Sequence, residues 1–234
     1  MTDPNRLEQG IAGLASLGEP ARRKLYLYVA GRSGEVSRDE AARAAGISRG
    51  LAGFHLDRLV EQGLLEASFR RLTGRSGPGA GRPAKLYRRS SQLVEVSLPA
   101  RRYELAARIL ATAIDSSDTP KTRKALVKTA RGIGERIGAE ARARAGSRAG
   151  RRRLFAEMTG ALAEQGYEPV AAGGEVRLRN CPFHALVSEH VDLVCGMNLA
   201  LIEGVVEGME LPAAKPVLAP TPGMCCVRLR LEEK

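Results

Sequence analysis

The chain has 234 residues, 44% of them hydrophobic but only 4% aromatic, with a formal net charge of +11. That length accommodates a small binding domain plus a second domain, with cores built mainly from Leu, Val, Ile and Ala. No run of about 20 apolar residues occurs, which excludes a membrane-spanning helix. The opening residues also lack the basic start and apolar run of a secretory signal, so the expected compartment is the cytoplasm. Residues 1–100 carry a net +6, residues 101–153 a net +10 and residues 154–234 a net −5. A positive field gathered in the first two thirds favours a polyanion, because each phosphate contact releases counterions.

The pattern predicts an α+β chain of three segments. In the first, residues 1–97, an apolar-periodic helix spans Leu17 to Val29. Ser37 followed by Glu40 is a capping-box signature for a short helix from Arg38 to Ala45. Gly46-Ile47-Ser48 breaks it, and a second helix runs from Arg49 to about Gln62, with Gly63 as terminator. Leu64 to Arg71 and Lys85 to Arg88 read as strands around a Gly/Pro-rich loop, Thr73 to Pro83. The second segment, residues 98–153, is helical and very basic. Its apolar residues Leu105, Ile109 and Ala113 are spaced for a dimer contact. Ser116 to Pro120 separates two helices, and Ala139 to Arg153 reads as a linker or frayed helix end.

The third segment, residues 154–234, alternates helix and strand. A helix from Leu154 to Gln165 precedes a hairpin, Tyr167 to Val170 with Glu175 to Leu178, joined through Gly173-Gly174. A helix from Val194 to Met209 follows, then a loop from Pro212 to Pro222 and a strand from Val227 to Leu231. Gly196, Gly204 and Gly208 lie on that helix and are expected to permit close packing. Glu203 and Glu207, one turn apart, are expected to form a solvated face.

Two constellations carry chemistry. The first is the helix pair around Gly46. Small residues Ala41, Ala42 and Ala45 permit close approach, and Ile47, Leu51, Leu56 and Leu59 are the expected buried side. That leaves Ser48, Arg49, Gly50, Ala52, His55 and Arg58 facing outward, where such a helix meets base edges in a DNA major groove. The hairpin after it carries Arg70, Arg71, Arg75, Arg82, Lys85, Arg88 and Arg89, a composition fit for the phosphate backbone or minor groove. Arg75, Arg82 and Lys85 are the principal candidates there.

At these residues the chain resembles winged helix-turn-helix regulators of the arsenic-repressor type. The run Gly81-Arg82-Pro83-Ala84-Lys85-Leu86-Tyr87 resembles the subset that includes repressors of iron–sulfur cluster assembly operons. The resemblance covers most of the chain. It implies an N-terminal winged helix-turn-helix, a central dimerisation segment and a C-terminal α+β sensor domain. The expected function is that of a homodimeric repressor on double-stranded operator DNA, not an enzyme.

The second constellation is sulfur. All four cysteines, Cys181, Cys195, Cys225 and Cys226, lie after residue 180, and His184 completes a Cys-Pro-Phe-His run. Cys and His ligate zinc and iron–sulfur centres, but this spacing does not match paired CxxC zinc sites. If the last strand extends back through the cysteine doublet, only one of the pair faces the apolar side. Cys225, in phase with Val227 and Leu229, is then the better ligand. The resemblance implies a [4Fe–4S] cluster on Cys181, Cys195 and Cys225 or Cys226, with His184 a candidate fourth ligand. Zinc, or a metal-free thiol switch, remains open at this level.

Overall fold

A computed structural model of the chain describes residues 4–71, 83–92, 94–99, 101–117 and 119–231. The described residues form an α+β protein of two units, Met1–Arg101 and Arg102–Lys234, each with its own antiparallel sheet.

The first unit runs α1 (Pro4–Ser16), α2 (Pro20–Ala30), β1 (Val36–Ser37), α3 (Arg38–Ala45), α4 (Arg49–Glu61), β2 (Leu65–Arg70) and β3 (Ala84–Arg89). Helix α1 has no counterpart in the sequence reading. The caps explain where the other helices begin. The Glu19 carboxylate accepts the Ala21 and Arg22 amides at 3.1 and 2.6 Å, and Pro20 supplies a preset φ at the first helical position. Ser37 accepts the Glu40 amide at 3.2 Å to start α3. Gly46 ends it at φ 70, a conformation an L side chain adopts only with strain. Ser48 then caps α4 by accepting the Leu51 amide at 3.3 Å. The sheet order is β1-β3-β2, with β2 and β3 in register from Leu65↔Arg89 to Arg70↔Ala84. Leu25, Val29, Val36, Leu56, Leu59, Leu65 and Tyr87 form the buried core.

The second unit runs α5 (Tyr103–Ser117), α6 (Pro120–Ala145), α7 (Arg151–Glu164), β4 (Pro169–Ala172), β5 (Glu175–Leu178), α8 (His184–Val187), α9 (Val191–Gly208), β6 (Ala214–Leu218) and β7 (Val227–Leu231). Its sheet order is β4-β5-β7-β6. Met158, Leu162, Val176, Leu178, Ile202, Val205, Met209 and Leu229 pack between the helices and that sheet.

Helices α6 and α9 touch backbone to backbone. A Cβ built on Gly134 or Gly138 would stand 2.0 or 2.2 Å from the carbonyl oxygen of Leu201 or Val205. One built on Gly204 or Gly208 would stand 2.1 Å from the carbonyl oxygen of Arg131 or Glu135. The two glycine pairs, each spaced four residues, thus place one stripe of bare backbone against another. Gly204 and Gly208 serve close packing as expected, whereas Gly196 faces open space. Glu203 and Glu207 both pair with Arg131 across this contact.

This contact corrects two expectations. Residues 139–145 are not linker: α6 continues to Ala145, because Gly138 and Ala141 are buried where small side chains are required. The helices of the expected central segment accordingly share a compact unit with the C-terminal sheet. The expected loop from Pro212 to Pro222 also contains β6. Pro216 fits there because, among the described residues, β6 is an edge strand that pairs with β7 alone.

Candidate functional site

The solvent face of α4 is not the one the sequence predicts. Ala52 is fully buried and His55 nearly so, which corrects their assignment as outward-facing residues. The cause is that α4 turns this side toward α2. There the Arg22 guanidinium donates to His55 Nδ1 at 3.4 Å, and Glu19 lies 3.5 Å from His55 Nε2. Leu51, expected inside, is exposed instead. The outward stripe comprises Gly50, Leu51, Phe54, Arg58 and Glu61.

The polar candidates at the start of α4 already have partners. Ser48 is exposed but spends its hydroxyl on the cap. The Arg49 guanidinium, 72% exposed, pairs with Asp39 at 2.8 Å, and Arg58 pairs with Glu61 at 2.9 Å. Exposed pairs of this kind are worth less than about 1 kcal/mol and exchange readily for a stronger anion. A cleft of about 370 Å³ opens at the α3–α4 turn, with Arg43, Ile47, Ser48 and Arg49 along its edge.

Lys85 has a structural task. Its ammonium donates to Asp57 at 2.8 Å, as does the Tyr87 hydroxyl at the same distance, tying β3 to α4. Burial pushes the Asp57 carboxyl up, but the Lys85 and Tyr87 hydrogen bonds and the Lys85 charge outweigh it. The group therefore titrates below the ordinary carboxylate range. On the strands, Arg70 pairs with Glu35 and Arg88 with Glu66. Arg75 and Arg82 lie outside the described residues, as does the loop they belong to except for Pro83.

In the second unit three chain segments deliver four thiols to one place. Cys181 lies just before α8, Cys195 sits in the second turn of α9, and Cys225-Cys226 precede β7. Hydrogen bonds from the Cys181 thiol, and next from the Cys226 thiol, hold Cys225 well below the ordinary thiol range. The amide of the fully buried Asn198 adds a bond to the Cys225 sulfur at 3.2 Å. Cys181 and Cys226 are pushed up, first because each donates to Cys225 and second because they are buried. Cys226 also hydrogen-bonds to Cys195, which closes the group. The arrangement favours negative charge on Cys225 over its neighbours, and the thiolate is the nucleophilic and metal-binding form of a cysteine.

Both members of the doublet therefore reach the group. The strand-phase argument for Cys225 alone does not apply, because β7 begins only at Val227 and the chain bends at Cys226. His184 does not join the group: it opens α8 with its side chain exposed to solvent. Among the described residues, no group of three or more His, Cys, Asp or Glu side chains is set out in a metal-holding arrangement.

Asn198 and Tyr167 were not anticipated. The Tyr167 hydroxyl donates to the Asn198 carbonyl oxygen, which orients the amide toward Cys225. The available signal was a lone polar residue inside the apolar stripe of α9. Leu105 and Ile109 stand exposed on α5, together with Tyr103 and Leu110. Among the described residues, no helix is long and apolar enough to cross a membrane. Comparison of the chain with protein-family models, curated proteins and solved structures finds no match.

Proposed function

We propose that this chain is a cytoplasmic DNA-binding transcriptional regulator, acting as a homodimeric repressor, with the first unit as a winged helix-turn-helix. One observation carries the reading. Helices α3 and α4 are joined by the three-residue turn Gly46-Ile47-Ser48, and among the described residues α4 leaves its outward stripe uncovered beside an Arg-bearing strand pair. A helix so presented is the right size for a major groove, and basic strands beside it suit the phosphate backbone. The exposed apolar residues of α5 supply the self-contact that a two-fold reader of DNA requires. The test is a titration of full-length protein against duplexes enriched from a random pool, at several salt concentrations. A specific duplex should bind at least about a thousandfold more tightly than random DNA, with affinity falling steeply with salt. Equal, salt-insensitive binding to all duplexes would refute the reading.

The thiol group is the proposed sensor. Four soft sulfur donors on three segments suit a thiolate-ligated centre in their chemistry, a [4Fe–4S] cluster or a zinc ion, although they are not set out in a metal-holding arrangement and would have to shift to hold one. Cys181, Cys195, Cys225 and Cys226 would hold it. Such a centre, when bound, supplies a link among the segment before α8, α9 and the approach to β7 whose loss depends on oxidant or metal supply. Coupling of about 1–3 kcal/mol between the centre and operator affinity suffices for regulation. A metal-free thiol switch is the second reading, favoured by the direct hydrogen bonds of Cys181 and Cys226 to Cys225. Iron, zinc and sulfide analysis of anaerobically purified protein separates the two: metal at one centre per chain supports the first, and none supports the second.

A further inference from the structure

Leu51 and Phe54 are 44% and 64% exposed, although both are large and apolar. They sit at i and i+3 of α4, and Arg58 follows at i+7, so the three lie on one face. The unit's core does not use that face: Ala52, Leu56 and Leu59 of the same helix are the residues turned inward. Gly50 stands beside them, and a Cβ built there would meet nothing within 4 Å, so the first turn offers bare backbone for close approach. The hydrogen-bonding groups nearby are engaged, Ser48 in its cap and Arg49 with Asp39. The part of α4 that would enter a groove is therefore mainly apolar.

Charge selects the occupant. Residues 1–100 carry a net +6, and the apolar pair is flanked by Arg49 and Arg58, whose exposed ion pairs exchange for phosphate at little cost. In the major groove only one base edge presents an apolar group, the C5-methyl of thymine. Resting on the DNA-binding reading above, we infer that Leu51 and Phe54 are specificity-determining residues that read thymine methyl groups in the operator. Sequence preference then comes from apolar contact on this helix more than from hydrogen bonds to bases.

The experiment uses the full-length protein and a duplex enriched from a random-sequence pool. Each thymine of that duplex is replaced in turn by deoxyuridine, which keeps the base pairing and removes only the methyl. At one or two positions the wild type should lose about fourfold in affinity, the worth of burying one carbon. Phe54→Ala or Leu51→Ala should abolish the thymine–uracil difference at its own position. The salt slope of binding, which counts phosphate contacts that these side chains do not make, should stay that of the wild type. Both side chains are exposed, so the variants keep the fold, which circular dichroism verifies. Uracil tolerated everywhere by a wild type that still prefers its duplex would overturn the inference and leave the DNA-binding reading standing. So would a Phe54→Ala variant that loses self-association while keeping the thymine preference, since a second copy would then be the occupant. Failure to enrich any duplex overturns both.

Discussion

Gly134→Ala should destabilise the second unit, although alanine is the better helix former. The added carbon would lie 2.0 Å from the Leu201 carbonyl oxygen and 2.9 Å from the Val205 amide nitrogen. That is about 1.4 Å inside ordinary contact with a group that is backbone and has no rotamer to yield. Helix α6 must therefore move off α9. Part of the dispersion contact between the helices is forfeited once a gap of about 0.5–1 Å opens. Overpacking of this kind costs about 1–3 kcal/mol, and a contact with rigid backbone belongs at the upper end. Subtracting the intrinsic preference for Ala over Gly, about 1 kcal/mol, leaves a net loss of about 2 kcal/mol. Gly132, two residues away in the same helix, is the matched control: a Cβ there meets nothing within 4 Å. Gly132→Ala should gain about 0.5–1 kcal/mol, so the two variants should differ by about 3 kcal/mol. Urea unfolding followed by circular dichroism measures both, and with a slope of about 1–3 kcal/mol per molar their midpoints should separate by 1 M or more. If Gly134→Ala unfolds at or above the wild-type midpoint, the reasoning from backbone contact is refuted.

Asp57→Ala should weaken the first unit by about 1 kcal/mol, since it leaves Lys85 and Tyr87 without their shared acceptor at a partly exposed site. Because the Asp57 carboxyl titrates below its unfolded value, its stabilisation is present above the ordinary carboxylate range and is lost as pH falls through the folded value. Thermal melts between neutral and acid pH should show that loss in the wild type and less of it in Asp57→Ala; parallel curves would exclude the network. Cys→Ser at 181, 195, 225 or 226 should each reduce bound metal per chain in elemental analysis, whereas His184→Ala should not. An effect of His184→Ala as large as that of Cys226→Ser would reverse the ligand assignment. Ile109→Glu or Leu105→Glu should shift the protein to a monomer in sedimentation and weaken operator binding with it; an unchanged dimer would place the self-contact elsewhere.

The start and stop signals of α3 and α4 were legible because they are local. Ser37 with Glu40, Gly46 and Gly63 act on their own neighbours in the chain. Which face of α4 turns inward was not legible, because it depends on α2. His55 is buried beside Arg22 and Glu19 of the α2 region, more than 30 residues earlier. The same holds for the end of α6. Its last turns are too poor in large apolar residues to announce a buried helix, and only the matching glycines of α9 make that poverty useful. The cysteines announced themselves by clustering late in the chain, but the bend at Cys226 that turns both thiols inward is set by where β7 begins its pairing. Asn198 stands out as a polar residue inside the apolar stripe of α9, but its bond to Cys225 depends on a loop 27 residues later.

Helix α9 carries the thiol group near one end, at Cys195, and the glycine contact near the other, at Gly204 and Gly208. Ordinary helix pairs are separated by side chains that can repack, so a small push on one is absorbed before it reaches the other. Here no such cushion exists, since carbonyl oxygens of each helix rest against bare α-carbons of its neighbour. The His190–Asp115 contact at 2.5 Å further fastens the start of α9 to α5. A displacement of α9 imposed at its sulfur end therefore cannot be lost in rotamer changes along the glycine stripe. It must carry α6 with it, as a stiff rod turns whatever is clamped to its far end.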